Sequence, residues 1–241
     1  MINQFEMEVG GRVLKFEHGR VADQAGGAIT VQYGDTMLLA TATASKKPKP
    51  GVDFLPLTVD VAEKAYAAGK LPGGFFKREG RPAAEAILAS RMIDRPIRPL
   101  FSKTVHNEIQ IIVTILASDG VNPYPAIGIV GASAALAISD IAFNDPIGAC
   151  VIGLVDGELV VNPTYEELMT SDLELLVAGT GDATMMVESG GNFVSEEVLL
   201  DALELAQEVN GAIVEQITEI QSQVGKEKWE APEVSEEEKA A

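Results

Sequence analysis

A glycine-rich stretch, residues 69–82, places two adjacent aromatic residues next to two cations. Phe75 and Phe76 are followed directly by Lys77 and Arg78. Aromatic rings can stack on nucleobases while Lys and Arg hold phosphates, and proteins grip single strands in this way without reading their sequence. The glycines and prolines disfavour a regular helix or strand here. The residue types therefore fit a loop that binds single-stranded nucleic acid.

Four further arginines follow this pair of cations: Arg78 is succeeded by Arg81, Arg91, Arg95 and Arg98. Arg91 and Arg95 are four residues apart and share a helix face, which Arg98 extends if the chain stays helical past Pro96. A second interpretation makes the two phenylalanines core anchors and pairs the arginines with nearby carboxylates, namely Glu79, Glu85 and Asp94. The pattern alone leaves both interpretations open.

The distribution of charge matters more than its sum. The net charge of −18 argues at first against a nucleic-acid partner. However, residues 1–63 carry −2, residues 64–103 carry +6 and residues 104–241 carry −22. Polyanion binding depends on local patches rather than on the total charge. The basic segment, residues 64–103, is therefore either a solvated face or a polyanion site.

Other reactive side chains are few. Cys150 is the only cysteine, which excludes an intrachain disulfide and predicts a buried structural thiol. His18 and His106 are too few for a histidine-rich metal cluster, and we assign neither a catalytic role. No apolar run reaches the roughly 18 residues that a membrane span requires, and the first residues lack a signal-peptide layout. We expect a cytoplasmic protein with no membrane partner.

Most of the chain up to residue 194 predicts strands in pairs. Tight turns are expected at Gly34-Asp35 and at Asp156-Gly157, because both pairs favour two-residue hairpins. Residues 46–51 are expected to form a polar loop, and residues 107–117 a central strand. The other predicted strands are residues 29–33, 36–43, 54–59, 151–155, 158–161, 173–178 and 184–188.

Three helices are predicted among and after these strands. The first runs from Ala83 to about Asp94 and should end before Pro96. The second, residues 126–139, is rich in small residues and should pack closely on a sheet. From residue 195 an apolar residue recurs every three or four positions, which predicts a long amphipathic helix. Paired strands with interspersed helices indicate an α+β fold rather than a doubly wound sheet.

Residues 66–101, YAAGKLPGGFFKREGRPAAEAILASRMIDRPIRPLF, are similar in order and spacing to a signature of polynucleotide phosphorylases. The similarity extends through KPKPGVDFLPLTVD upstream and through VNPYPAIGIVGASAAL, FNDPIGA and LLVAGT downstream, to about residue 229. The resemblance implies an RNase PH-like core, of the ribosomal protein S5 domain 2-like type, with a long C-terminal amphipathic helix. It also implies an RNA path lined by the loop and approached by the helix arginines. The predicted RNA-binding residues are Phe75, Phe76, Lys77, Arg78, Arg81, Arg91, Arg95 and Arg98.

The same resemblance implies a magnesium-dependent enzyme that uses inorganic phosphate to release nucleoside diphosphates from RNA 3′ ends. Its subunits carry two RNase PH-like domains, and the catalytic site belongs mainly to the second. There a serine-rich turn binds phosphate, and two aspartates with a lysine surround the metal. Here residues 122–128 read NPYPAIG, and Asp145, Val151 and Gly153 stand at the other places. We therefore predict no catalytic or metal-binding residue in this chain, and Mg²⁺ sites in a second core domain outside it.

The predicted organisation has three parts: a first RNase PH-like core over residues 1–194, a helix packed on it over residues 195–225, and an acidic linker over residues 226–241. The resemblance implies single-stranded RNA as ligand, a homotrimer and candidate degradosome-type partners. An alternative is a non-catalytic RNA-binding ring subunit of an exosome-like complex. A small-molecule kinase would need a glycine-rich phosphate loop before a helix, and GASAAL, residues 131–136, is explained more simply by close helix packing.

Overall fold

The computed structural model describes residues 2–231. The strands are β1 (Asn3–Val9), β2 (Arg12–His18), β3 (Gly27–Tyr33), β4 (Thr36–Pro48), β5 (Leu57–Glu63), β6 (Asn107–Ala117), β7 (Gly148–Val155), β8 (Glu158–Val161), β9 (Leu173–Gly179) and β10 (Thr184–Gly191). The helices are α1 (Ala84–Ile97), α2 (Pro125–Ile138), α3 (Tyr165–Thr170) and α4 (Glu196–Val224), with short 3-10 turns at Ala65–Ala68 and Arg98–Leu100. Paired strands with interspersed helices confirm the predicted α+β class.

The first six strands form one sheet in the order β1-β2-β3-β4-β6-β5. β5 runs parallel to β6, whereas the other described neighbours in this sheet run antiparallel. The chain between β5 and β6, residues 64–106, therefore has to cross over the sheet, because parallel strands cannot be joined by a tight hairpin. This crossover carries the glycine-rich loop, residues 69–82, and α1.

The second sheet has four antiparallel strands in the order β10-β9-β7-β8. Helix α2 packs against strands of both sheets and is buried on all sides, from Ala126 to Ile138. Small residues allow this closeness: a Cβ on Gly131 would stand 2.9 Å from Cδ1 of Leu38 in β4. The predicted close helix packing of the 131–136 segment is confirmed.

Helix α4 begins where the pattern predicted, with the Ser195 side chain accepting a hydrogen bond from the Val198 N–H. One stripe of the helix packs on the core while the opposite side is polar, as expected of an amphipathic surface helix. The buried residues of this stripe are Ala202, Ala206, Asn210, Ile213, Ile217 and Ile220. None of the helices described between residues 2 and 231 is long and apolar enough to cross a membrane.

The chain after α4 is partly fixed. The Lys226 N–H donates to the Ile138 carbonyl, and the Trp229 N–H donates to the Asp140 carbonyl. The Lys228 ammonium donates to the carbonyl of Leu136 near the end of α2. The predicted linker is therefore hydrogen-bonded to the core at residues 226, 228 and 229, and residues 232–241 lie outside the described part.

Three predicted boundaries were wrong. Pro96 lies inside the last turn of α1, where it is buried, and the Arg98 N–H still closes a hydrogen bond on the Asp94 carbonyl. β4 continues into the predicted polar loop as far as Pro48, which pairs with Asn107 of β6 after a bulge in β4. β5 begins at Leu57 instead of residue 54, because Pro56 has no N–H to contribute and sheet pairing starts one residue later.

Candidate nucleic-acid interface

An open groove of about 1170 Å³ lies between β5, the glycine-rich loop and α1. All seven residues of β5, Leu57–Glu63, line it. On the other side it is lined by the loop ends and by α1 from Ala86 onward. The groove is thus built almost entirely by the β5–β6 crossover, which brings the basic segment to one edge of the large sheet.

The two phenylalanines of the loop are exposed. Phe75 is 93% exposed and Phe76 is 82% exposed, so the interpretation that made them core anchors is wrong. Their ring centroids lie 5.5 Å apart at an interplanar angle of 86°, an edge-to-face contact. Two large aromatic surfaces in water are unfavourable unless something covers them. Their faces are available for stacking on bases.

Four of the five predicted arginines line the groove. Arg98 is engaged by Asp94, whereas Arg78, Arg81 and Arg91 are not. Within residues 2–231 the structure records no hydrogen bond or ion pair that engages these three guanidinium groups. Lys77 has a φ of 48° at the loop tip and does not line the groove. The groove therefore offers three guanidinium groups that form no ion pair within the described chain, although the carboxylates of Asp60, Glu63, Glu79 and Asp94 also line it.

The other two arginines are already engaged. Arg95 forms an ion pair with Glu188 of β10, with 2.9 Å between Nη1 and Oε2. Arg98 donates from Nε and Nη2 to both carboxylate oxygens of Asp94, at 2.9 and 2.6 Å. The same guanidinium donates to the carbonyls of Leu55 and Leu57 beside the outer edge of β5.

The predicted helical face is confirmed. Because the chain stays helical past Pro96, Arg91, Arg95 and Arg98 border one smaller depression, with Asp94 and Pro99 completing its rim. The ion-pair interpretation holds for part of this face only. Asp94 pairs with Arg98, but the carboxylate that engages Arg95 comes from a strand 93 residues away rather than from the predicted segment.

Glu79 lies between Arg78 and Arg81 in sequence but is bound elsewhere. Its Oε2 accepts from the Lys64 ammonium at 3.0 Å, and its Oε1 accepts from the Ala65 N–H at 2.9 Å. These two donors hold the pKa of Glu79 below its usual value, the backbone bond contributing most. Sequence reasoning did not predict the ion pair between Lys64 and Glu79, because the two residues are 15 positions apart on either side of the loop.

Two more groove residues were missed by the sequence reasoning. The Tyr124 hydroxyl donates to Oε1 of Glu63 at 2.6 Å, and burial together with this carboxylate raises the pKa of Tyr124. Ser90 of α1 accepts a hydrogen bond from the Val61 N–H and so occupies a donor on the outer edge of β5. The only sequence signal for these residues was a polar side chain at a position where the helix or strand pattern predicts an inward-facing residue.

Residues 122–128, the place of the phosphate turn in active domains, are tied to the protein itself. The Asn122 side chain donates to Asp119 at 2.6 Å and accepts from Arg12 at 2.9 Å. Burial alone would raise the pKa of Asp119, but N–H donors from Asn122 and Val121 and the Thr36 hydroxyl hold it well below its usual range. The side chains of Asn122 and Tyr124 are therefore engaged by groups of the protein itself.

The positions expected for metal ligands do not fit Mg²⁺. Asp145 is exposed ahead of β7, whereas Val151 and Gly153 lie within β7 and carry no side-chain oxygen. Mg²⁺ prefers carboxylate and other oxygen ligands. One carboxylate with two apolar positions supplies no such set, and no catalytic step can be derived through a metal at this place.

A two-sheet α+β core with helices packed between its sheets is shared with rice (Oryza sativa) Rrp46, with a TM-score of 0.67 over 92% of this chain and 94% of that one. At 15% identity this likeness concerns the fold alone. Domain 1 of the RNase PH, or 3′ exoribonuclease, family matches residues 10–142, and domain 2 matches residues 145–209. The chain belongs to the 3′ exoribonuclease family.

Curated relatives are much closer in sequence. The chain is 52% identical over 228 residues to a polyribonucleotide nucleotidyltransferase of Heliobacterium modesticaldum, covering 95% of this chain and 32% of that protein. It is 48% identical over 241 residues to the enzyme of the same name from Dehalococcoides mccartyi, covering 99% and 34%. The resemblance to polynucleotide phosphorylases is confirmed. The chain spans about a third of the length of these relatives.

Proposed function

We propose that this chain is the first RNase PH-like core of a polyribonucleotide nucleotidyltransferase that degrades RNA from the 3′ end by phosphorolysis. Its part is to hold single-stranded RNA on the groove of the β5–β6 crossover. Phe75 and Phe76 stack on bases, and Lys77, Arg78, Arg81 and Arg91 contact phosphates. Arg95 and Arg98 border the same surface, but their donors are already used within the chain.

The observation that carries this proposal is the combination of exposed aromatic rings with free guanidinium groups. Phe75 and Phe76 protrude beside a groove in which Arg78, Arg81 and Arg91 form no ion pair with a carboxylate of the described residues. Stacking and phosphate contacts together bind single strands, and stacking contributes roughly 1–3 kcal/mol per base. The +6 charge of residues 64–103 supplies local attraction within a chain of net charge −18.

We propose further that the chain alone is catalytically silent. The Asn122 side chain is hydrogen-bonded to Asp119 and Arg12, the Tyr124 hydroxyl is bonded to Glu63, and Val151 and Gly153 carry no side-chain oxygen for a metal. Magnesium and inorganic phosphate then act at a second core domain. A homotrimer, degradosome-type partners and a cytoplasmic location belong to this proposal for the whole protein, as does the division into residues 1–194, 195–225 and 226–241.

The alternative function is a non-catalytic RNA-binding ring subunit of an exosome-like complex. The likeness to rice Rrp46 is one of fold only and does not favour it. The curated relatives at about half identity favour the phosphorylase.

The test uses the purified chain with radiolabelled oligo(A), magnesium and phosphate. We expect RNA retention that weakens with salt and no release of nucleoside diphosphate. The double variant Phe75→Ala/Phe76→Ala should fold normally and bind at least about fivefold more weakly at matched salt, since one stacked base corresponds to at least about 1 kcal/mol. Equal binding by this variant would remove the loop from the RNA path, and robust phosphorolysis by the chain alone would refute its silence.

A further inference from the structure

Glu79 is the point at which the glycine-rich loop is tied down. Between Leu71 and Pro82 the described structure records no hydrogen bond to the rest of the chain other than the two that Glu79 accepts. Both donors, Lys64 and Ala65, belong to the short stretch that follows β5. A loop with several glycines and one tether can take many orientations once that tether is lost.

The Glu79 carboxylate pairs with a cation that is distant in sequence rather than with the arginines beside it. Glu79 has cations on both sides in sequence, Arg78 and Arg81, yet it forms its ion pair with Lys64. This choice leaves the two loop arginines free to line the groove. It also places the Phe75-Phe76 pair only a few residues before an anchored position.

We propose that Glu79 is a positioning residue, a latch that closes the glycine-rich loop onto Lys64 and Ala65 and so sets Phe75 and Phe76 at the edge of the groove. This inference rests on the proposed RNA-binding function. Glu79 itself does not touch RNA, because a carboxylate would repel phosphate. It acts by limiting the orientations from which the aromatic pair and Arg78 meet a strand.

If Glu79 is a latch, removing its carboxylate should weaken RNA binding. If it is only a surface charge, removing it should strengthen RNA binding. Removing a negative charge from a basic surface strengthens RNA binding if the charge acts only through its field. Removing a latch weakens binding, because the loop must then be ordered when RNA binds. Glu85 is the matched control: it is an exposed carboxylate in the same basic segment for which the described structure records no hydrogen bond or ion pair.

The experiment measures oligo(A) affinity of the wild-type chain, Glu79→Ala, Glu79→Gln and Glu85→Ala at one salt concentration. Glu79→Ala is expected to bind about fivefold more weakly, the loss of roughly one stacked base. Glu79→Gln should lose less, because its amide oxygen still accepts from the Ala65 N–H. Glu85→Ala should bind as tightly as the wild type or slightly more tightly. An affinity of Glu79→Ala equal to or above that of the wild type overturns the proposal.

A second comparison asks whether the latch acts through the aromatic pair. In the Phe75→Ala/Phe76→Ala background, Glu79→Ala should cause no further loss of affinity, whereas independent action would give the same fivefold loss again. Such additivity would contradict the proposed route.

Trypsin provides a readout that needs no RNA. Cleavage after Lys77 should be several-fold faster in folded Glu79→Ala than in the wild type or Glu85→Ala, because an untethered loop fits a protease more readily. Equal cleavage rates would show that Glu79 does not hold the loop. If the wild-type chain fails to bind RNA, the proposed function fails, and the cleavage rates alone decide whether the latch exists.

Discussion

Arg91 and Arg98 lie two helical turns apart on one face of α1, yet their surroundings differ. No carboxylate of the described residues engages Arg91, which faces the groove. Arg98 donates to both oxygens of Asp94 and to two carbonyls at the edge of β5. A guanidinium whose donors are committed in this way contributes to structure first, whereas a free one can bind phosphate.

We therefore expect Arg98→Met to reduce stability and Arg91→Met to reduce RNA binding. Arg98→Met should lower the free energy of unfolding by about 1 kcal/mol, a modest value because the ion pair is partly exposed. Arg91→Met should leave stability unchanged but reduce the slope of log affinity against log salt by about 0.7, the loss of one single-strand phosphate contact. Urea unfolding and RNA binding at several salt concentrations measure the two effects. If Arg98→Met reduced the slope as much as Arg91→Met, Arg98 would be a phosphate contact instead.

Sequence alone predicted the residue types of the candidate interface but not their partners. The aromatic-basic pattern was sufficient to single out Phe75 to Arg78, yet it could not tell exposed rings from core anchors, because burial depends on the whole fold. Likewise Glu188 and Lys64 were not linked to Arg95 and Glu79. These pairs join residues far apart in sequence, and no local rule selects among the available carboxylates.

At the scale of elements, close approach between α4 and β7 limits side-chain size. A Cβ on Gly148 would stand 2.5 Å from the carbonyl oxygen of Asn210 and 2.8 Å from its Cα. Real Cβ atoms do not approach backbone atoms this closely, so the helix would have to move away from the sheet. The buried stripe of α4 that packs beside this point would then lose contacts.

Gly148→Ala is accordingly expected to lower the free energy of unfolding by about 2 kcal/mol or more, as overpacking against backbone usually does. Gly190→Ala in β10 is the control, because no atom of the described residues lies within 4 Å of a Cβ added there. That variant should be neutral within about 0.5 kcal/mol. Thermal unfolding followed by circular dichroism compares the two. Equal melting temperatures would mean that α4 can shift without loss.

The two predicted hairpins and the long helix are confirmed, whereas the β1–β2 hairpin was not predicted and several element ends were wrong. Asp156 and Gly157 both have positive φ, as a tight hairpin requires, and that turn stands where the sequence placed it. The helix was wrongly predicted to end before Pro96, because the hydrogen bond that proline removes matters little in this buried last turn. The end of β4 was wrongly predicted as a loop, because its sequence is polar and proline-rich and only the pairing with β6 orders it as a strand.

At the scale of the whole molecule, the second sheet and α4 enclose the only thiol of the chain. Cys150 is fully buried in β7, and its Sγ lies 3.8 Å from the Ala206 carbonyl oxygen in α4. Burial raises the pKa of this thiol to about 12. The thiolate that reacts with disulfide reagents is therefore scarce in the folded chain at any ordinary pH.

Cys150 should thus report global unfolding. We expect labelling by a disulfide reagent at pH 8 to be no faster than unfolding of the folded chain, and to reach one equivalent at once in concentrated urea. Cys150→Ser should show no labelling in either state and serves as the blank. Rapid labelling without urea would mean that α4 separates from β7 while the rest stays folded.

The α+β class followed from the order of elements, but the arrangement of the two sheets did not. Which strands neighbour each other, and that α2 is buried between both sheets, depend on contacts among distant residues. A helix composed of small and apolar residues on all sides was the one sequence feature that hinted at such a position.

Because β5 pairs in parallel with β6, the glycine-rich loop between them can vary in length while the pairing of the two strands stays the same. The ends of the connecting segment are fixed by the sheet and by α1, so the glycine-rich loop can lengthen at small entropic cost, about 0.6 kcal/mol for each doubling. A change in its length or composition leaves the pairing of the strands intact. Selection can therefore remodel the glycine-rich loop while the fold, and the time needed to reach it, stay governed by the same long-range strand pairing.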